Sequence, residues 1–154
     1  MLDVKIIAVG KVKNKNFGAA IVEYLKRIKP YARIELVEVK PEAFGSQNKE
    51  VAKKTEGERL LKSLASEAAG MVYLLQEQGK EFNSEKFARF LEKQNSRVVL
   101  VIAGALGFSD EIKNKYPNSI SLSQMTIPHE LARVVLLEQL YRAATIIQGK
   151  EYHY

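Results

Sequence analysis

Two hydrophobic periods take turns along this chain. "VKIIAVG" (4–10) is an almost unbroken apolar run closed by glycine, the pattern of a strand buried on both faces. "FGAAIVEYLKRI" (17–28) repeats its apolar positions at helical spacing, and "ARIELVEV" (32–39) alternates like a strand with one wet face. "PEAFGSQNK" (41–49) is rich in turn formers and reads as a loop. A charged helix follows from Glu50 to about Ala69, with Gly57 as its weak point. "MVYLLQ" (71–76) predicts a strand, Gly79-Lys80 a turn, and "NSEKFARFLEKQ" (83–94) a helix capped by Asn83 or Ser84. "RVVLVIAG" (97–104) is the most strand-like run and predicts a central strand. "SDEIKN" (109–114) predicts a short helix, "SISLS" (119–123) a short strand, and a long helix begins near Pro128. Elements in the order βαβα imply an α/β fold with a largely parallel sheet and right-handed crossovers. With no repeat, linker or low-complexity tract, residues 1–154 read as one domain.

The last helix breaks the surface-helix pattern. From Leu131 to Ile147, twelve of seventeen residues are apolar, around most of its circumference rather than along one stripe. A helix on the outside of a small α/β domain could not bury all of that on its own sheet, which predicts a two-fold homodimer packed through it. Glu138 and Arg142, four residues apart on one face, are either a helical ion pair or functional groups. Pro128 suits the first turn, and His129 beside it sits where the helix dipole favours a neutral imidazole.

Composition narrows the chemistry. The chain is 46% hydrophobic and 27% charged, as in an ordinary globular domain, and has no cysteine, which removes disulfide and thiolate chemistry. Met1 leads into "LDVKIIAVG", a first strand rather than a signal peptide, and no run approaches the ~20 apolar residues of a membrane span. The cytoplasm is the expected location. The net charge of +6 is concentrated in the first forty residues, which hold nine Lys/Arg against four Asp/Glu, led by Lys11, Lys13 and Lys15. Such a field suits nucleic-acid phosphates or a merely solvated lysine loop.

Candidate chemistry lies at the carboxyl ends of the predicted strands, where parallel α/β sheets bind ligands. "AGALG" (103–107) and "SLSQMT" (121–126) occupy those ends, without a GxGxxG or a phosphate-loop lysine motif. Two histidines, His129 and His153, make a poor metal site, and no GxSxG elbow supports hydrolase chemistry.

"SLSQMTIPHELARVVLLEQLYRAATIIQGKEYHY", with "IAGALGF" before it and "IIAVGKVK" near the start, resembles the ribosomal RNA large subunit methyltransferase H family, of the SPOUT class of S-adenosylmethionine-dependent methyltransferases. The resemblance implies a three-layer α/β/α fold with a C-terminal trefoil knot that binds the methyl donor and forms the dimer. It implies cofactor contacts at Leu75, at Ala103, Gly104 and Gly107, and along Leu122, Ser123, Gln124, Met125, Thr126 and Ile127. The implied reaction is methylation of N3 of a pseudouridine in a stem-loop of 23S ribosomal RNA on the assembled ribosome, with no metal. In that reading Arg142 and His153 flank the target base, Tyr152 packs or stacks on RNA, and His129 supports the pocket. The acceptor imide must lose its proton, which a neutral histidine could accept or which Arg142 could ease by stabilising the anion. Ala103 and Tyr154 stand where relatives usually have a glycine and a basic residue. The alternatives are a SPOUT methyltransferase acting on tRNA and a non-catalytic RNA-binding protein on the same fold.

Overall fold

The structure is a computed structural model and describes residues 1–152. Five parallel strands form one sheet in the order β2-β1-β4-β3-β5: β1 Leu2–Val9, β2 Ala32–Val39, β3 Val72–Glu81, β4 Val98–Ile102 and β5 Ser119–Ser121. Five α-helices connect or follow them: α1 Lys15–Ile28, α2 Lys49–Leu64, α3 Ser84–Glu92, α4 Asp110–Lys115 and α5 His129–Ile147.

Side chains alternate across a strand, so one sheet feeds two cores. Val4, Ile6 and Ala8 of β1, with Val98, Leu100 and Ile102 of β4, pack against Ile21 and Ile28 of α1, Phe87 and Leu91 of α3, and Leu136 and Leu140 of α5. Ile7 and Val9, with Val99 and Val101, face Leu60 and Leu64 of α2 and Ile112 of α4. Every residue of β4 is buried, which explains why it reads as an unbroken apolar run. This is the three-layer α/β/α arrangement expected from the sequence.

Several boundaries move for identifiable reasons. α1 starts at Lys15 because the Asn14 side chain accepts the N–H groups of Asn16 (2.9 Å) and Phe17 (3.2 Å). Pro128 is the residue before α5, extended at ψ 139°, and His129 is the first helical residue. α2 ends at Leu64, short of the expected Ala69. The predicted turn at Gly79-Lys80 is instead the end of β3. Leu75 and Lys80 both stand opposite Ile120, so residues 76–79 loop out of the ladder before pairing resumes with Glu81 opposite Ser121.

The reading of α5 as an outer helix is corrected. It lies between α1 and α3 on one face of the sheet, and Ala132, Leu136, Leu137, Leu140, Ala143 and Ala144 are buried within the chain. Several of its residues stay half-covered; Val134, Tyr141, Ile146 and Ile147 pack against the first core, whereas Leu131 and Val135, on one helical face with half-covered Glu138 and Arg142, are in neither core.

Candidate active site

The carboxyl ends of β3, β4 and β5 open into one cleft of about 610 Å³. Three segments wall it: Leu75 to Gln78 after the regular part of β3, Ile102 to Phe108 after β4, and the stretch from Leu122 to the first turn of α5. Of the ten residues expected to hold a cofactor, Leu75, Ala103, Gly104, Gly107, Leu122, Ser123, Met125, Thr126 and Ile127 line it, as does His129. Gln124 is exposed in the same loop and is not among the lining residues. The Ser123 hydroxyl accepts the Met125 N–H at 3.0 Å, which folds the loop tightly at this point.

The 103–107 turn closes with the Gly107 N–H donating to the Gly104 carbonyl at 3.1 Å, and Gly107 takes φ 76°. Gly104 lies against the interior: a Cβ there would sit 3.1 Å from Val9 Cγ1 and 3.2 Å from Glu56 Oε1. Glu56 is itself buried. Its Oε2 accepts the Glu42 N–H at 3.0 Å, while Oε1 has no partner among the described residues. The floor of the cleft is therefore backbone, backed by a buried carboxylate.

Lys53, Gln76, Glu77, Gln78, Phe108 and Lys113 also line the cleft and were not anticipated. Gln76 to Gln78 follow from the rule about strand ends. Lys53 and Lys113 come from α2 and α4, whose approach depends on packing that no local pattern encodes.

Arg142 and Tyr152 form a second cluster. Arg142 donates to Glu138 at 2.7 Å, Glu138 also accepts from Gln139, and the Tyr152 hydroxyl reaches Glu138 at 3.4 Å. The Arg142 guanidinium lies 4.9 Å from the Tyr152 ring centre, and that ring meets Tyr141 edge-on at 4.7 Å. Burial, then the Glu138 carboxylate, push the Tyr152 phenol above its ordinary pKa, so it stays protonated and donating at neutral pH. The described end of the chain, as far as Tyr152, packs on α5 and not over its own cleft, and the Glu138–Arg142 ion pair is formed.

Within one chain, however, His129 and Arg142 stand at opposite ends of α5, about 20 Å apart along its axis. A single protomer does not bring the two groups together. His153 lies outside the described residues. Among the described residues no cluster of metal-ligating side chains occurs, and no helix is long and apolar enough to cross a membrane.

The first turn of α5 holds two further charged residues whose partners are distant in sequence. Glu130 Oε1 accepts the N–H groups of Lys13 (2.7 Å) and Asn14 (3.0 Å). The buried Arg133 donates to Glu38 Oε2 (2.9 Å) and to the Gly10 carbonyl (3.0 Å). The Asn14 and then the Lys13 N–H hold the Glu130 carboxyl below the usual carboxylate range. Its contribution is therefore complete at neutral pH and is lost only as the pH falls through that lowered value.

The same parallel α/β/α sheet occurs in solved structures of other proteins. A probable methylase family protein from Haemophilus influenzae superposes over 100% of this chain and 72% of its own, with a TM-score of 0.61 at 12% identity. A putative methyltransferase from Legionella pneumophila, solved in complex with the bound cofactor SAM, superposes over 92% of this chain and 66% of its own, with a TM-score of 0.57 at 14% identity. At these identities the likeness concerns the fold. In sequence, a family described as "Predicted SPOUT methyltransferase" matches residues 2–153. Two curated relatives, each named ribosomal RNA large subunit methyltransferase H, are closer. That of Kosmotoga olearia is 43% identical over 99% of this chain and 100% of its own, and that of Carboxydothermus hydrogenoformans is 39% identical over 99% of each. The chain belongs to the ribosomal RNA large subunit methyltransferase H family of SPOUT methyltransferases.

Proposed function

We propose that the protein transfers the methyl group of S-adenosylmethionine to N3 of a pseudouridine in a stem-loop of 23S ribosomal RNA, on the assembled ribosome in the cytoplasm. The observation that carries this reading is the convergence of nine expected cofactor residues on one cleft, in a family whose curated relatives are named for large-subunit ribosomal RNA. The cleft suits the donor. Its volume falls in the range of about 300–1,000 Å³ common for small-ligand sites. Leu75, Ile102, Leu122 and Ile127 offer apolar walls, and the 103–107 turn offers backbone groups.

The sulfonium supplies an activated methyl, so the protein's task is to align the acceptor and manage its imide proton. Arg142 is the group suited to stabilising the N3 anion, through a guanidinium that Glu138 holds in place. Tyr152 offers a ring face to RNA, and His129 supports the rim of the cleft. Because Arg142 is remote from its own cleft, this reading requires a homodimer. Two copies packed antiparallel along the Leu131, Val135, Glu138 and Arg142 face would bring the Arg142 and Tyr152 of each toward the His129 end of the other. The same reading treats residues 1–154 as one domain and includes a trefoil knot. The position of α5 between α1 and α3, after a strand at the far edge of the sheet, is consistent with such threading.

Gly104→Ala should weaken donor binding. The added methyl would press on buried Val9 and Glu56 and push the turn into the cleft, at an overpacking cost of ~1–3 kcal/mol, which corresponds to at most about 5- to 150-fold in Kd where it falls on the donor-bound state. Calorimetric titration with S-adenosylmethionine reads this directly, and unchanged affinity would exclude the turn from the donor site.

Methyl transfer from radiolabelled S-adenosylmethionine tests the substrate. Assembled ribosomes from a strain lacking the endogenous enzyme, free ribosomal RNA and tRNA are compared. Label confined to large-subunit RNA of assembled ribosomes is expected. Label on tRNA would move the substrate, and no label from a folded, donor-binding protein would leave a non-catalytic RNA-binding role.

A further inference from the structure

We propose that the loop from Gly10 to Asn14 is a rigid grip for RNA backbone phosphates, and that Glu130 is the positioning residue that sets it. This rests on the RNA-directed reading above. It adds a specific loop, and a residue that touches neither donor nor RNA.

A run of lysines is ordinarily a mobile, solvated loop, and this one is not built that way. Its first carbonyl, at Gly10, accepts from Arg133, a side chain only 2% exposed. Val12 packs against the core formed with α1, α3 and α5. The N–H groups of Lys13 and Asn14 both end on Glu130 Oε1, and the Asn14 side chain caps α1. The backbone is therefore anchored at both ends and in the middle, while Lys11, Lys13 and Lys15 are exposed.

The carboxylate is spent on backbone N–H groups and not on the lysines. None of the ion pairs among the described residues uses Lys11, Lys13 or Lys15, whereas Lys5 is held between Glu35 and Glu67 and Lys113 is paired with Asp110. Three cations on a fixed frame are thus left for phosphates, and a frame that is already ordered loses less entropy on binding. The frame is fastened to the helical turn that also carries His129, on the cleft rim. A phosphate held on this loop therefore has a defined distance to the base presented at the cleft.

The test separates positioning from simple charge. Glu130→Ala removes a negative charge beside three lysines, so electrostatics alone would tighten RNA binding. Positioning predicts the opposite. Cosedimentation with ribosomes over a series of salt concentrations reads binding without requiring turnover. Affinity should fall about tenfold for Glu130→Ala, as for the loss of one or two phosphate contacts, and Glu130→Gln, which keeps an acceptor oxygen, should restore most of it. KM for ribosomes should rise in parallel, with donor affinity by calorimetry unchanged. If Glu130→Ala does not fold, the triple variant Lys11→Gln, Lys13→Gln, Lys15→Gln leaves every anchor in place. It should weaken ribosome binding and flatten its salt dependence by about two in log–log slope, since single-stranded contacts contribute roughly 0.7 each. Equal or tighter binding by Glu130→Ala, an unaltered salt slope in the triple variant, or no binding of the wild-type protein to ribosomes would each overturn the proposal. Binding without methyl transfer would instead count against the catalytic reading alone.

Discussion

Replacing Gly79 with alanine is expected to unseat β5 and deprive the cleft of one wall. A Cβ at this position would lie 2.6 Å and 2.7 Å from the carbonyl carbon and nitrogen of Ile120, and 2.9 Å from the carbonyl carbon of Ser119. These are backbone atoms of the neighbouring strand and cannot swing aside like a side-chain end. Here the looped-out residues 76–79 rejoin β5, where Leu75 and Lys80 share Ile120. Overpacking commonly costs ~1–3 kcal/mol, and a clash with backbone belongs at the top of that range. At about 2–4 °C per kcal/mol for a chain of this size, the melting temperature should fall by roughly 6–12 °C. β5 leads directly into Leu122 to Ile127, so donor affinity should fall further than for Gly104→Ala. Gly18→Ala is the control: it lies within α1 with nothing inside 4 Å of its Cβ, and it should stabilise by ~0.5–1 kcal/mol. Circular-dichroism melting of the two variants separates steric from propensity effects. Melting of Gly79→Ala within 2 °C of wild type would show that the two strands can part there without penalty.

The second large effect falls on catalysis. Arg142→Ala should lower methyl transfer by about 10²–10³-fold, the usual loss when one charge-stabilising donor is removed from a reacting centre. Its pair with Glu138 is mostly buried, with side-chain exposures of 21% and 20%, so the alanine variant also leaves a carboxylate without its cation and should lower the melting temperature. Donor affinity, measured on protein that is still folded, should change little. Arg142→Lys keeps the charge but loses the forked geometry that spans Glu138 and a base, and should recover only part of the rate. Single-turnover rates with saturating donor measure this step. Wild-type rates in Arg142→Ala would remove the residue from the chemistry and, with it, the need for a second copy at the cleft.

The parts of the fold legible in the sequence were those whose partners are uniform. β4 is apolar at every position because it is buried on both faces, and α3 announces itself through Asn83, whose side chain accepts the Lys86 N–H at 2.8 Å. The tail of β3 was not legible. "QEQGKE" is polar and contains Gly-Lys, so it reads as a turn, yet after residues 76–79 loop out, Lys80 and Glu81 rejoin the sheet because β5 is there to receive them. α5 shows the same limit in another form. Its apolar circumference was evident, but that its own α1 and α3 cover most of it depends on where the chain returns across the sheet.

The candidate site divides in the same way. Strand ends and the resemblance placed Leu75, Gly104 and Thr126 on one cleft. Separation along α5 could have warned that His129 and Arg142 do not meet within one chain, since helical rise alone fixes it. The contacts of Glu130 with Lys13 and of Arg133 with Gly10 join residues more than a hundred positions apart, and no local periodicity carries them.

The most direct measurement is the identity of the methylated nucleoside. Ribosomes lacking the endogenous modification are treated with the protein and S-adenosylmethionine, their 23S RNA is digested, and the nucleosides are separated and fragmented by mass spectrometry. The account predicts one new product, a pseudouridine bearing its methyl on N3, from a stem-loop fragment and absent with Arg142→Ala. A methyl group on any other nucleoside, or on the ribose, would contradict it.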